Sequence, residues 1–380
     1  MDLDEKDGLL SNPEVVDKYK SAAKIANQTM ARLVAECRPG VKIAEMCALG
    51  DALINEGLSK VYQKDKKMDK SIAFPTCVSP NHCVGHNSPL KDDTSVLGEG
   101  DVVKIDLGVH IDGNIAVLGH TTIATAAPAA AVSGRQADVI CAAHFAAEAA
   151  HRLLRPGRKS TELTQTIAKI AESFNCKPME NVLSHQMKRF VIDANKVIPN
   201  KENPEAPSEE VVFEEGEIYA IDIVMSTGEG KGVEGDTKTT IYKRNVENTY
   251  SLKMKASRAL LSEANKKFST VPFSTRNLAL DERQVKLGLT ECLKHDLLQG
   301  YPVVYEKEGE FVAQMKFTAL ILPSSIDRIT AHPPPNVNSL CKIEDAGVNE
   351  ILALGTKRSS KKKKNKKKKA NAESSGASEE

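Results

Sequence analysis

Four polar side chains lie where a chemical site could be built. His86 sits in Cys83-Val84-Gly85-His86-Asn87-Ser88-Pro89, a stretch rich in turn formers, and His185 in Leu183-Ser184-His185-Gln186. Asp106 interrupts the apolar run 102–109, and Asp222 interrupts 218–225. An acid inside an apolar strand must find a metal, a cation or hydrogen-bond donors, because a lone desolvated carboxylate is costly. Asp and His are also suitable ligands for a divalent ion. Taken singly, each of the four reads better as a satisfied structural residue, and spacing alone does not establish a metal. Other chemistry is weaker. Residues 226–232 read as a flexible loop after a strand rather than a phosphate loop, because Val233 stands near Lys231 where Ser or Thr is required. No Gly-x-Ser-x-Gly elbow is present.

The elements that must position these residues come in two copies. Arg38-Pro39-Gly40-Val41-Lys42-Ile43-Ala44-Glu45 recurs as Arg155-Pro156-Gly157-Arg158-Lys159-Ser160-Thr161-Glu162. Each copy separates two amphipathic stretches, 15–37 from 43–54 and 136–154 from 162–174. Pro-Gly between periodic apolar runs is a turn signal, and the glutamate falls in a first helical turn, where the dipole favours it. Further on, Gly100-Asp101-Val102-Val103-Lys104-Ile105-Asp106 recurs as Gly216-Glu217-Ile218-Tyr219-Ala220-Ile221-Asp222, each a turn leading into a strand. The offsets are 117 and 116 residues, so two related αα-β halves are expected to pack about a pseudo-two-fold axis. That symmetry would bring Asp106 and Asp222 to equivalent positions near the axis.

The segment from about 245 to 304 has no counterpart in the first half and reads as a helical insertion. Three regions are therefore expected: an acidic lead-in over 1–12, a folded domain over 13–355, and a Lys-rich tail over 356–380. The chain has 380 residues, 41% apolar and 27% charged, which is ample for a core and excludes a wholly disordered chain. No run is long and apolar enough for a membrane span, and the acidic start lacks the features of a secretory signal. Eight scattered cysteines without a CxxC pair point to reduced thiols rather than a disulfide framework or zinc finger. A soluble intracellular protein is expected.

The formal charge of +1 conceals an asymmetry. Residues 357–380 carry ten cations against three acids, among them Lys361, Lys362, Lys363, Lys364, Lys366, Lys367, Lys368 and Lys369. A block of like charge is expected to be disordered and to contact nucleic acid or direct nuclear import. A second basic feature, expected on structured helices, comprises Lys243, Arg244, Lys253, Lys255, Arg258, Lys266 and Lys267.

Longer motifs carry a resemblance. Val103-Lys104-Ile105-Asp106-Leu107-Gly108-Val109-His110-Ile111-Asp112-Gly113 resembles the signature strand pair of type 2 methionine aminopeptidases. Residues 219–222 with Ser226-Thr227-Gly228, and Phe311-Val312-Ala313-Gln314-Met315-Lys316-Phe317-Thr318, look like that family's later strands. The resemblance implies the α/β pita-bread fold with pseudo-two-fold αβ halves and a helical insertion. It also implies two metals held by two Asp, one His and two Glu. Carried over by position, the first Asp is Asp106, the His is His185, and the first Glu is Asp222. The second Asp falls on Val117 and the last Glu on Lys316. Of the substrate-side histidines, one is His86 and the other falls on Asp193. In that family the side chains at 117 and 316 bridge the metals. Valine cannot donate to a cation and an ammonium repels one, so no metal, no cofactor and no catalysis are expected. Lys316 would instead pair with Asp106, Asp222 or both, leaving a remnant pocket.

The runs Thr239-Thr240-Ile241-Tyr242-Lys243, Leu252-Lys253-Met254-Lys255-Ala256-Ser257-Arg258 and Tyr305-Glu306-Lys307-Glu308-Gly309-Glu310 resemble a narrower group. This is the proliferation-associated, ErbB-receptor-binding protein family, which includes curved-DNA-binding proteins. The resemblance implies a non-enzymatic growth regulator in translation and ribosome biogenesis, binding the large ribosomal subunit, ribosomal RNA and other structured RNA, with DNA as a further partner. It implies residence in cytoplasm and nucleus, including the nucleolus. Protein partners, a monomeric state and no membrane are also expected. Two alternatives remain open: a metal-dependent aminopeptidase with an atypical site, and a DNA-bound transcription cofactor.

Overall fold

The structure, a computed structural model, describes residues 10–126, 131–203, 205 and 207–356. The tail lysines from Lys361 to Lys369 lie outside the described residues. Helix α1 spans Pro13–Glu36; Asn12 caps it by accepting the Glu14 N–H at 3.0 Å, with proline in its first turn. Its buried stripe, including Val15, Tyr19, Ala22, Ala26, Met30 and Leu33, follows the helical period. Helix α2 spans Ile43–Ser59, α3 Arg135–Leu153 and α4 Ser160–Ser173.

The nine-stranded antiparallel sheet is built around seven strands. They are β1 (Lys70–Pro80), β2 (Val102–Ile111), β3 (Asn114–Ile123), β4 (Leu183–Met187), β5 (Val197–Pro199), β6 (Ile218–Ser226) and β7 (Val312–Ile321). Their order is β1-β2-β3-β7-β6-β4-β5. Reading outward from the β3–β7 seam, β2 corresponds to β6 and β1 to β4, as two-fold related halves require.

The backbone repeats this symmetry bond by bond. Gly40 donates to Leu97 O at 2.8 Å, and Gly157 to Phe213 O at 2.9 Å. Ile43 donates to Ser95 O, and Ser160 to Val211 O. Bridges join Lys42 to Val96 and Lys159 to Val212. Gly40 and Gly157 have φ of 82° and 87°, which explains why both copies of the turn use glycine. Two related halves are thus present, and the fold is the expected pita-bread architecture.

Strand periodicity divides the polar from the apolar. On β2, Val103, Ile105, Leu107 and Val109 enter the core under α1 and α2. The alternate residues Lys104, Asp106, Gly108 and His110 therefore face the other side. On β6, Tyr219, Ile221, Ile223 and Met225 join the core under α3 and α4, leaving Asp222 opposite. On β7 the same division sends Met315 and Phe317 to the helices and Gln314, Lys316 and Thr318 to the site side.

Between β6 and β7 the chain leaves the sheet. A strand at Ile241–Arg244 pairs with Leu298–Tyr301 and Phe273–Ser274, flanked by helices α5 (Lys255–Phe268) and α6 (Glu282–Lys294). Helix α6 ends at Lys294, shortly before Leu298 begins that strand. Arg276 ties this region to the first half. Its guanidinium donates to Asp51 Oδ2 at 2.6 Å and to Ser88 Oγ at 2.9 Å, next to the loop bearing His86. A last helix, α7, covers Ala346–Ala353. Among the described residues no helix is long and apolar enough to cross a membrane.

Candidate functional site: a carboxylate–lysine cluster on the central sheet

Register assembles the site. The β2–β3 hairpin turns at Asp112 and Gly113, both at positive φ, as a two-residue turn between twisted strands requires. That turn sets Asp106 opposite Gly119 on β3. Gly119 then lies opposite Lys316 on β7, and Lys316 opposite Asp222 on β6. Asp106, Gly119, Lys316 and Asp222 thus form one row across four neighbouring strands, far apart in sequence and adjacent in space.

Lys316 Nζ lies 3.0 Å from Asp106 Oδ2 and 3.2 Å from Asp222 Oδ2, and all three side chains are buried. The lysine therefore contacts both carboxylates. Gln314 Nε2 donates to Asp222 Oδ1 at 2.8 Å, and Ser184 Oγ accepts the Asp222 N–H at 2.9 Å. The ammonium also lies 5.3 Å from the centroid of the Phe74 ring. Burial by itself would lower the Lys316 pKa, but the carboxylates of Asp106 and Asp222 outweigh it and hold the ammonium above the ordinary lysine range. Burial pushes the Asp106 carboxyl up to about 6, with Lys316 drawing it back and Asp222 adding to the rise. Asp106 Oδ1 is buried without a hydrogen-bond partner in the protein.

His185 pairs with Ala220 across β4 and β6. Burial and the nearby Lys316 charge push its imidazole down to about 4, and its Nδ1 is buried without a protein partner. His86 adopts a positive φ of 64°, shares a hydrogen bond with Pro302 O at 3.0 Å, and packs edge-on to Tyr301 at 5.3 Å. Phe74 meets both rings, lying 6.0 Å from His86 and 5.6 Å from Tyr301. Asp193 is exposed and forms an ion pair with Lys243. Val117, opposite Gly108 on the neighbouring row, is buried in an apolar cluster with Phe74 and Cys77.

Chemically this is a pocket whose negative charge is half offset. Two carboxylates share one ammonium, and the two imidazoles are held toward their neutral forms. Among the described residues no group of three or more His, Cys, Asp or Glu side chains is placed to hold a metal. The Lys316 ammonium lies between the only two carboxylates of the row, so the residues present do not fit a metal centre. Gln314, Phe74 and Tyr301 were not singled out from the sequence. Gln314 was signalled by its place two residues before Lys316 on the same strand face; the two aromatics arrive from distant segments and carry no such signal.

Gly119 makes the arrangement possible. A Cβ at this position would lie 2.7 Å from Lys316 Cβ and 3.2 Å from Gln314 Cδ. The clashing Lys316 atom is next to the backbone and cannot swing aside. Gly119→Ala should therefore cost about 1–3 kcal/mol, as overpacked cores do, measured by urea unfolding. An unchanged midpoint would mean that the central strands separate more easily than this packing allows.

The cations expected to touch nucleic acid divide into two sets. Lys243 and Arg244 stand on a strand rather than on a helix, which corrects the expectation for these two. Both are half-buried: Lys243 pairs with Asp193, and Arg244 donates to Ser269 O at 3.2 Å. Lys253, Lys255, Arg258, Lys266 and Lys267 are exposed, at and along α5. Arg258 donates to Leu252 O and Lys253 O, and Lys267 pairs with Glu263 at 2.6 Å.

The two-fold αβ halves and the row of site residues across their seam define the class. Residues 17–243 match metallopeptidase family M24, and the chain belongs to that family, within its proliferation-associated, ErbB-receptor-binding group. The chain is 51% identical over 359 residues to ErbB-3 binding protein 1 of Arabidopsis thaliana, covering 93% of this chain and 90% of that one. It is 46% identical to proliferation-associated protein A of Dictyostelium discoideum, covering 93% and 91% respectively. The solved structure of a thermophilic Arx1 superposes with a TM-score of 0.86 at 31% identity, covering 91% of this chain and all of that one.

Proposed function

We propose that this protein is a non-enzymatic RNA- and ribosome-binding growth regulator, acting in translation and ribosome biogenesis on an inactive aminopeptidase scaffold. The observation that carries the reading is Lys316, whose ammonium pairs with both Asp106 and Asp222 where a metallopeptidase of this fold would place cations. In the same reading Val117 and Lys316 replace the two bridging ligands, and His86 and His185 remain as parts of a pocket without a metal-bound nucleophile. The high identity to the proliferation-associated group supports it. The partners are the large ribosomal subunit and structured RNA, and the protein works as a monomer in cytoplasm, nucleus and nucleolus. The exposed cations of α5 position the protein against phosphates, and the Lys-rich tail adds affinity without specificity.

Co-sedimentation with purified large ribosomal subunits across a salt series tests this. The full chain and a form ending at Gly355 should both pellet and both be released by salt. Replacing Lys253, Lys255 and Arg258 by Glu should weaken binding of the truncated form at least tenfold, since each lost phosphate contact reduces both affinity and salt slope. If only the full chain pellets, the tail acts alone and the α5 placement is wrong. If neither pellets, the ribosome reading fails.

A further inference from the structure

The segment 245–254 leaves the small sheet and passes across the end of α6 before α5 begins. It is fastened at both ends. Asn245 and Asn248 donate to Asp296 Oδ2 at 3.0 and 2.8 Å, and Asn248 also to Asp296 O. At the other end Glu291 accepts the N–H groups of Lys253 and Met254 at 2.8 and 3.0 Å. Between these anchors, residues 246–251 are all exposed. Tyr250 lies flat on His295, with ring centroids 3.6 Å apart and planes 11° from parallel.

An aromatic pair of an exposed Tyr250 on a loop fastened this firmly and a half-buried His295 is more than a loop tip. Its ordering is already accounted for by the anchors, so a third flat ring could join the stack at little further entropic cost. Charges of both signs surround the pair. Lys253 and Lys294 are exposed in the segments bearing the two rings, and Arg258 reaches back to the carbonyls of Leu252 and Lys253. Of the nearby acids, Glu291 and Asp296 are engaged by the anchors, and Glu247 is the one acid in the exposed stretch 246–251.

We propose that the Tyr250–His295 stack is a docking platform for one unpaired base of a structured RNA, with the lysines beside it receiving the flanking phosphates. This rests on the RNA-binding reading above and adds the kind of RNA feature recognised: a bulged or looped-out base rather than a continuous duplex. Unstacked bases commonly find aromatic side chains in this way, and each such contact contributes measurably to affinity.

The chain contains no tryptophan, so Tyr250→Trp creates a single fluorescent reporter at the platform. The full-length variant is titrated with a hairpin RNA carrying one unpaired adenine, and with the same hairpin in which that adenine is paired. The expected result is quenching by half or more with the bulged hairpin and little with the paired one. In a parallel assay, Tyr250→Leu keeps an apolar cap on His295 but removes the π-face. It should lose about tenfold in affinity for the bulged hairpin, as base–aromatic contacts predict, while the paired hairpin and the unfolding midpoint are unchanged. Binding of both RNAs without quenching overturns the platform and leaves the RNA reading intact. Absence of any RNA binding overturns both. A blue shift without quenching, seen only with intact ribosomal subunits, would mean that a protein covers the rings and would overturn the RNA-base assignment.

Discussion

Lys316→Met should lower the unfolding free energy by about 3–5 kcal/mol near neutral pH, the cost of removing one partner from a buried ion cluster. Methionine preserves most of the volume, so little of the loss is a cavity effect. What remains is Asp106 and Asp222 on either side of Gly119 and an uncharged side chain at 316, with no counter-charge, and Asp106 Oδ1 already lacks a partner. The electrostatic origin has a signature that a packing defect does not. Without the ammonium, the Asp106 carboxyl must rise further above the value of about 6 that it has beside Lys316. The folded variant then takes up a proton that the unfolded chain, with an ordinary aspartate, does not hold. Its deficit relative to the parent should therefore shrink as pH falls below neutrality. Adding Asp106→Asn to Lys316→Met should recover a large part of the loss, giving a coupling well above that of independent sites. Denaturant midpoints of the four proteins at pH 7.5 and 5.5 measure both effects. A deficit that is the same at both pH values would falsify the charge argument and leave only packing.

The second large effect is acid instability of the parent chain itself. Three histidines, His110 and His120 buried and His185 half-buried, are held in their neutral forms. Burial lowers His110 and His185 to about 4 each and His120 to about 3, the last helped by His332 and Arg328. At His110 the geometry is explicit: Nδ1 accepts the Gly113 N–H at 3.3 Å, so Nε2 carries the proton toward Ser71 Oγ at 2.8 Å. A second proton on Nδ1 would face another donor. In the unfolded chain these imidazoles protonate near 6.5. A depressed folded value means that stability is present above the unfolded pKa and is lost as pH falls toward the folded one. Asp106 works in the opposite sense, because its raised value lets the folded state hold a proton down to the ordinary aspartate range. A net excess of about two protons on the unfolded chain corresponds to roughly 3 kcal/mol lost per pH unit between pH 6 and 4.5. Urea unfolding at half-unit intervals would resolve it. A flat profile over that window would mean that these histidines are not neutral in the fold.

The two effects meet in the same strands, and they show how much could be read beforehand. β2 alternates Val103, Ile105, Leu107 and Val109 with Lys104, Asp106, Gly108 and His110, so its two-sided character is written in a period of two. The repeat at 38–45 and 155–162 and its partner at 100–106 and 216–222 fix paired turns and strands, because a left-handed glycine and a turn-to-strand switch are local requirements. The same locality made the four helices of the two halves legible, apart from a few residues at their ends, whereas α7 was not read from the sequence.

Other features could not be read in this way. Lys243 and Arg244 looked like part of a basic helical face, but strand pairing and Asp193 claim them. Tyr250 carried no periodic signal, and its partner His295 lies at the far end of another helix.

By itself, then, the sequence determined the halves, the strand faces on which Asp106 and Asp222 lie, and, through resemblance, the odd lysine at 316. Tertiary structure alone decided that Lys316 reaches both carboxylates. It also decided that Gly119 leaves room for it, that Phe74 and Tyr301 line the same pocket, and which cations are already paired. The reason is physical: periodicity and turn chemistry depend on neighbours within a few residues. A charge's partner depends on strand register across the seam between the halves, and no short segment contains that information.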